Sequence, residues 1–171
     1  GKNFADFADQ FSKDSRYRTE LYKLRRKFMS HADGLIHADL HTSNIMASRD
    51  KMKVIDMEFA FMGPFGYDLG YLVGNLISQS CFKRFPSEQS RKQFKAYLLA
   101  TIKSLIETYM KTFTLCWEKS VKERYRGQQG LLQSILQEVM EDVPGYASMV
   151  NWFRSVSEIP YPDFDIIEDK D

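Results

Sequence analysis

The chain has 171 residues and a formal net charge of +1, with 43% of its residues hydrophobic and 14% aromatic. That is one domain of ordinary size with material for a real core, which excludes intrinsic disorder. A charge so near zero excludes a general electrostatic field for nucleic acid or for an anionic membrane surface.

Residues 1–33 are predicted to be helical. "FADFADQF" puts Phe4, Phe7 and Phe11 at helical spacing, and "RTELYKLRRKFM" continues with Leu21, Leu24 and Met29. The basic run Arg25, Arg26 and Lys27 shares its segment with acidic residues and reads as a solvated helix face. No basic segment leading into an apolar stretch opens the sequence, so no secretory signal is expected and the chain is read as cytoplasmic.

From Gly34 the texture changes. "GLIH", "NIMA" and "KVIDM" are short apolar runs, the last two separated by the polar turn "SRDK". They predict a small antiparallel hairpin across residues 34–58, with loops at its ends. "FAFMGPFGYDLGYLVGNLI", Phe59 to Ile77, imitates a membrane span, but four glycines, Pro64 and Asp68 interrupt it. A loop feeding a buried helix fits better, and Asp68 near the start of that helix is placed to cap or support the turn before it.

A helical body is expected over 67–158. Pro86, Ser87 and Glu88 make a good helix start. The stripe then runs through Phe94, Leu98, Ile102, Leu105, Tyr109, Phe113 and Cys116. "GLLQSILQEVMEDV" and "GYASMVNWFRSVSEI" predict two further helices divided by Pro144 and Gly145, and residues 159–171 form a tail. Cys81 and Cys116 lie far apart in apolar patterns and read as reduced core thiols. Trp117 and Trp152 read as core residues of amphipathic helices. The fold class is therefore mainly α with a small β-hairpin.

The chemistry-bearing residues gather in that hairpin. Asp56 and Glu58, two apart, share a face if the strand extends that far, and paired carboxylate oxygens are what Mg²⁺ takes from a protein when phosphates complete its shell. Asp39 follows the first strand and begins the loop that returns through Asn44. An Asp placed to accept a hydroxyl proton, with an Asn on a second metal, is the logic of phosphoryl transfer to an alcohol. His37 reads as a residue that hydrogen-bonds the loop backbone, and His41 as a substrate contact or a solvent-facing loop residue.

"HADLHTSN" is similar to the kinase catalytic loop H-R-D-x-x-x-x-N, with the same Asp-to-Asn interval. "IDME" falls where those enzymes carry D-F-G, with Glu58 in place of the Gly. That Glu and the second histidine at 41 resemble the aminoglycoside phosphotransferase and choline kinase superfamily. Within it, residues 34–78 closely resemble the S-methyl-5-thioribose kinases, whose pattern reads HGDLHTGSIM, then IDPEFAFYGPMGFDIG, then a helix with GNL. "GYASMVNWFRSV" looks like that family's GFAGxxxxRRxxG segment, with Arg154 present and Phe153 at the other arginine position. The chain departs from the pattern at Ala38, Ser43 and Phe153.

The resemblance implies the helical, C-terminal lobe of a kinase-like fold that uses ATP and Mg²⁺. Asp39 would be the catalytic base, Asp56 and Glu58 the Mg²⁺ ligands, and Asn44 a second metal ligand or loop stabiliser. Asp68 would support the loop, and Arg154 would bind the sugar. The substrate implied is S-methyl-5-thioribose, phosphorylated at its 1-hydroxyl; choline, homoserine or an aminoglycoside are the alternatives for the acceptor. A non-catalytic scaffold module is the alternative of another class. No glycine-rich phosphate cover and no strand lysine occur in the sequence. An N-terminal ATP-binding lobe is therefore expected as the missing partner, with little turnover by these residues alone. The family is often dimeric, so a homodimer is implied too.

Overall fold

The computed structural model describes residues 9–10, 12–80 and 85–156. The phenylalanines at 4, 7 and 11, Cys81 and the tail from 159 lie outside them. Helix α1, Ser15–Ser30, starts where Asp14 accepts hydrogen bonds from the Arg16 and Tyr17 N–H groups at 2.8 and 3.0 Å. Its inward stripe runs Leu21, Leu24, Phe28 rather than through Met29, which is exposed. Phe28 meets the rings of Phe61 and Tyr67 with centroids 5.1 and 4.6 Å away. Lys27 leaves the solvated face predicted for the basic run. It is only 15% exposed and pairs with Glu138 and Asp142, each at 2.5 Å.

Four three-residue strands follow: β1 (Gly34–Ile36), β2 (Ile45–Ala47), β3 (Met52–Val54) and β4 (Phe61–Gly63). They form two separate antiparallel pairs instead of one hairpin. Ile45 opposes Val54 in β2–β3, as the turn "SRDK" suggested, whereas β1 pairs with β4, Gly34 opposite Gly63. Ala38, with a φ of 68°, turns the chain away immediately after β1. The first strand therefore cannot lie along the second, and finds its partner in the chain returning after the loop.

The body is three helices: α2 (Gly66–Gln79), α3 (Glu88–Ser120) and α4 (Gln129–Val156). Ser87 caps α3 by accepting from the Ser90 N–H at 3.1 Å. The α3 stripe packs inward through Leu98, Ile102, Leu105 and Tyr109, then continues through Phe113 to Trp117, whose rings stack 6.4 Å apart. Cys116 sits one position off that line and is exposed, not a core thiol.

Helix α4 runs unbroken through Pro144, where two helices were predicted. Pro144 has no N–H to return to the preceding turn, a cost of about 3 kcal/mol. Val139, Val143, Tyr146, Ala147 and Val150 are all buried on one face spanning the proline, and that burial outweighs it. The face lies on α2 because α2 presents glycines to it. A Cβ at Gly66, Gly70 or Gly74 would come within 2.9, 2.6 and 2.8 Å of Asp142, Tyr146 and Ala147. No helix among the described residues is long and apolar enough to cross a membrane.

Candidate active site

The loop between β1 and β2 is suspended from helix α2. Asp68 accepts two backbone hydrogen bonds, from the His37 N–H at 2.6 Å and the Ala38 N–H at 2.9 Å. Burial pushes the Asp68 carboxyl above the usual carboxylate range, and these two donors pull it back. One helical turn along the same face, the Tyr71 hydroxyl donates to Oδ1 of Asp39 at 2.6 Å. A turn further, Asn75, 1% exposed, accepts from the Thr42 N–H at 3.0 Å. Leu40, between these ties, packs against the apolar cluster of Leu72, Leu76 and Leu98. Each end of the loop is thus registered to one rigid element.

A second set of bonds joins the loop to the chain that leaves β3. The Asn44 amide donates to the Asp39 carbonyl at 3.0 Å, and the Asn44 carbonyl accepts from the Ile55 N–H at 3.0 Å. His37 Nε2 lies 2.8 Å from the Ile55 carbonyl, which can only accept, so the proton is on Nε2. Nδ1 is then the acceptor that the Asp39 N–H meets at 3.3 Å. Both main-chain polar groups of Ile55 are held, and Asp56 follows directly.

Asp56 has a φ of 64°, the left-handed region that Asp and Asn tolerate best after glycine. That conformation removes the strand argument for Asp56 and Glu58. β3 ends at Val54, the two-residue alternation is broken, and Glu58 sits in the turn closed by the Ala60 N–H to the Met57 carbonyl at 3.1 Å. Both carboxylates are exposed. Among the described residues no three His, Cys, Asp or Glu side chains gather into a metal group of their own. Mg²⁺ bound through phosphates needs only one or two carboxylates, and Asp56 beside the Asn44 tie is a donor of that type.

Asp39 itself is half-buried, its side chain 29% exposed, with His41 Nε2 3.4 Å from Oδ2. Arg154, in the last turn of α4, is 6% exposed. Its guanidinium lies over the Tyr71 ring, 5.6 Å from the centroid. Burial, and then the bond to Asp39, push the Tyr71 phenol well above its ordinary range; Arg154 opposes them in part. The residues missed in the sequence are Tyr71 and Asn75. Their signal was positional: once Asp68 is placed under the loop, positions three and seven further on share its helix face.

A cavity of about 480 Å³ opens elsewhere, lined by Lys27, Phe65, Trp117, Tyr125, Glu138 and Asp142 among others, and touches neither Asp39 nor Asp56. Of the charges lining it, Lys27 already pairs with Glu138 and Asp142. The chemistry-bearing residues therefore lie at the loop.

Residues 3–108 match the model of a phosphotransferase enzyme family. The chain is 37% identical over 158 residues to a methylthioribose kinase of Geobacillus thermodenitrificans, covering 92% of this chain and 38% of that protein. Methylthioribose kinases of Exiguobacterium sibiricum and Bacillus cereus are 32% and 31% identical, over 94% and 95% of this chain and 40% of theirs. The chain spans about two-fifths of the length of these curated relatives.

Proposed function

Because the chain belongs to the phosphotransferase enzyme family, we propose that it carries the base and metal ligands of an ATP- and Mg²⁺-dependent kinase for S-methyl-5-thioribose, acting on the 1-hydroxyl. The reading rests on one observation above all. The Asp39 loop and the Asp56 segment are tied at Ile55 by both of its main-chain polar groups, so a proton acceptor and a metal-type carboxylate are held in one frame. The relatives named methylthioribose kinase support the choice of sugar. The reaction is proposed for these residues together with whatever longer chain carries them.

In this reading Asp39 accepts the proton of the acceptor hydroxyl as it attacks the γ-phosphorus. Asp56, with Asn44 and Glu58, would hold Mg²⁺, which when bound neutralises charge on the phosphates. His41, beside Asp39, belongs to the acceptor side. His37 and Asp68 keep the loop in place.

The test is ADP release by the full-length natural protein carrying these residues, given Mg-ATP and methylthioribose, choline, homoserine or an aminoglycoside in turn. Turnover with methylthioribose that falls about 10³-fold in Asp39→Asn is expected. Turnover only with another alcohol would keep the chemistry and overturn the sugar. Nucleotide binding without turnover on any acceptor would favour a scaffold module instead.

A further inference from the structure

We propose that Tyr71 is a positioning residue for Asp39, and that Arg154 acts on the site through Tyr71 instead of by contact with the acceptor. This rests on the reading of Asp39 as the base. A carboxylate on a loop has two equivalent oxygens and a soft terminal torsion, so without a second partner either oxygen could face the acceptor. The Tyr71 hydroxyl, 2.6 Å from Oδ1, removes that freedom. Oδ2, which among the described residues has His41 at 3.4 Å, is left as the oxygen presented outward.

The direction of the bond is set by what each group can do. A carboxylate oxygen can only accept, so the 2.6 Å contact is a bond that Tyr71 donates, while Arg154 lies over the face of its ring. The one O–H of Tyr71 is then committed to Asp39. A guanidinium 6% exposed and 5.6 Å from the Tyr71 ring centroid does not swing out to meet a sugar. Tyr71 also shares helix α2 with Asp68, which holds the backbone of residues 37 and 38. One helix thereby fixes both the main chain of the loop and the side-chain rotation of its carboxylate. Misalignment of a reacting group by a fraction of an ångström is costly to rate while leaving ground-state binding intact.

The experiment is a double-mutant cycle in the full-length natural protein, measuring kcat and acceptor KM for Tyr71→Phe, Arg154→Lys and the pair. Expected are a fall in kcat of about tenfold for Tyr71→Phe at an acceptor KM within about twofold of wild type, and a smaller fall for Arg154→Lys. The double variant should be no worse than Tyr71→Phe, because both changes break one chain. A wild-type kcat in Tyr71→Phe overturns the proposal. So does an Arg154→Lys that raises acceptor KM at unchanged kcat and adds to Tyr71→Phe, since Arg154 would then be an acceptor contact. Should Tyr71→Phe fail to fold by circular dichroism, Arg154→Lys alone decides on the same split. An Asp39→Asn that keeps its turnover overturns the base assignment and this inference with it. Loss in Asp39→Asn beside an unaffected Tyr71→Phe overturns this inference alone.

Discussion

Ala38 is held in a conformation its side chain resists. At a φ of 68° the Cβ crowds the following carbonyl, a penalty of about 1 kcal/mol that glycine escapes. The strain persists because Asp68 fixes the Ala38 N–H on one side and the loop fixes Asp39 on the other. Ala38→Gly should therefore raise the urea midpoint by the equivalent of about 0.5 kcal/mol, the relief of strain exceeding the added freedom of the unfolded chain. The slope of the transition should not change. A lowered midpoint would mean that the left-handed turn is not populated. In the sequence this position was visible only as a departure from a family pattern. Its cost appears only with the backbone angle.

At the scale of elements, the seam between α2 and α4 decides where the site's parts meet. Gly70→Ala would put a Cβ 2.6 Å from Tyr146 Cβ and 3.0 Å from the Val143 carbonyl, neither of which can swing aside. Alanine ordinarily favours a helix by about 1 kcal/mol over glycine, but overpacking of this kind costs about 1–3 kcal/mol and should win. The expected net loss is about 1–2 kcal/mol in urea unfolding. Gly130→Ala, near the start of α4 with nothing within 4 Å of its Cβ, should instead gain about 0.5 kcal/mol. Opposite signs for one chemical change would locate the effect in the seam. Helix α3, the loop and the β2–β3 pair were legible because periodicity and turn residues are local signals. The β1–β4 pairing was not, since three-residue strands carry too little pattern. Neither was the passage of α4 through Pro144, which depends on burial on both sides of the proline. The Asp39-to-Asn44 interval and Asp68 could be read directly; the exposed turn at Asp56 and Glu58, and the partners Tyr71 and Asn75, required the tertiary frame.

Across the whole molecule, buried phenols make the fold sensitive to alkali. Burial, with help from the charge of Asp68, pushes Tyr67 and Tyr109 up to about 12, and burial raises Tyr71 and Tyr146 as well. Above pH 10 the unfolded chain releases these protons while the native state keeps them. The native state then binds more protons than the unfolded one, so stability falls as pH rises. The contribution is fully present below pH 10 and drains away toward the folded values. Urea midpoints should hold through neutral pH and decline progressively above pH 10, with tyrosinate absorbance rising as the chain unfolds. Tyr109→Phe, which gives up the bond to the Phe65 carbonyl at 3.2 Å, should flatten that decline. An equally steep decline in the variant would assign the effect to other groups.

The tie at Ile55 has a consequence for how such a scaffold changes over generations. Its bonds run through main-chain carbonyls and amides, one imidazole and one amide side chain. Replacing the side chain at 41, 43 or 57 leaves every one of them in place. Inheritance can therefore rewrite what surrounds the frame without disturbing the frame. What docks beside Asp39 can change while the place where Asp39 stands does not.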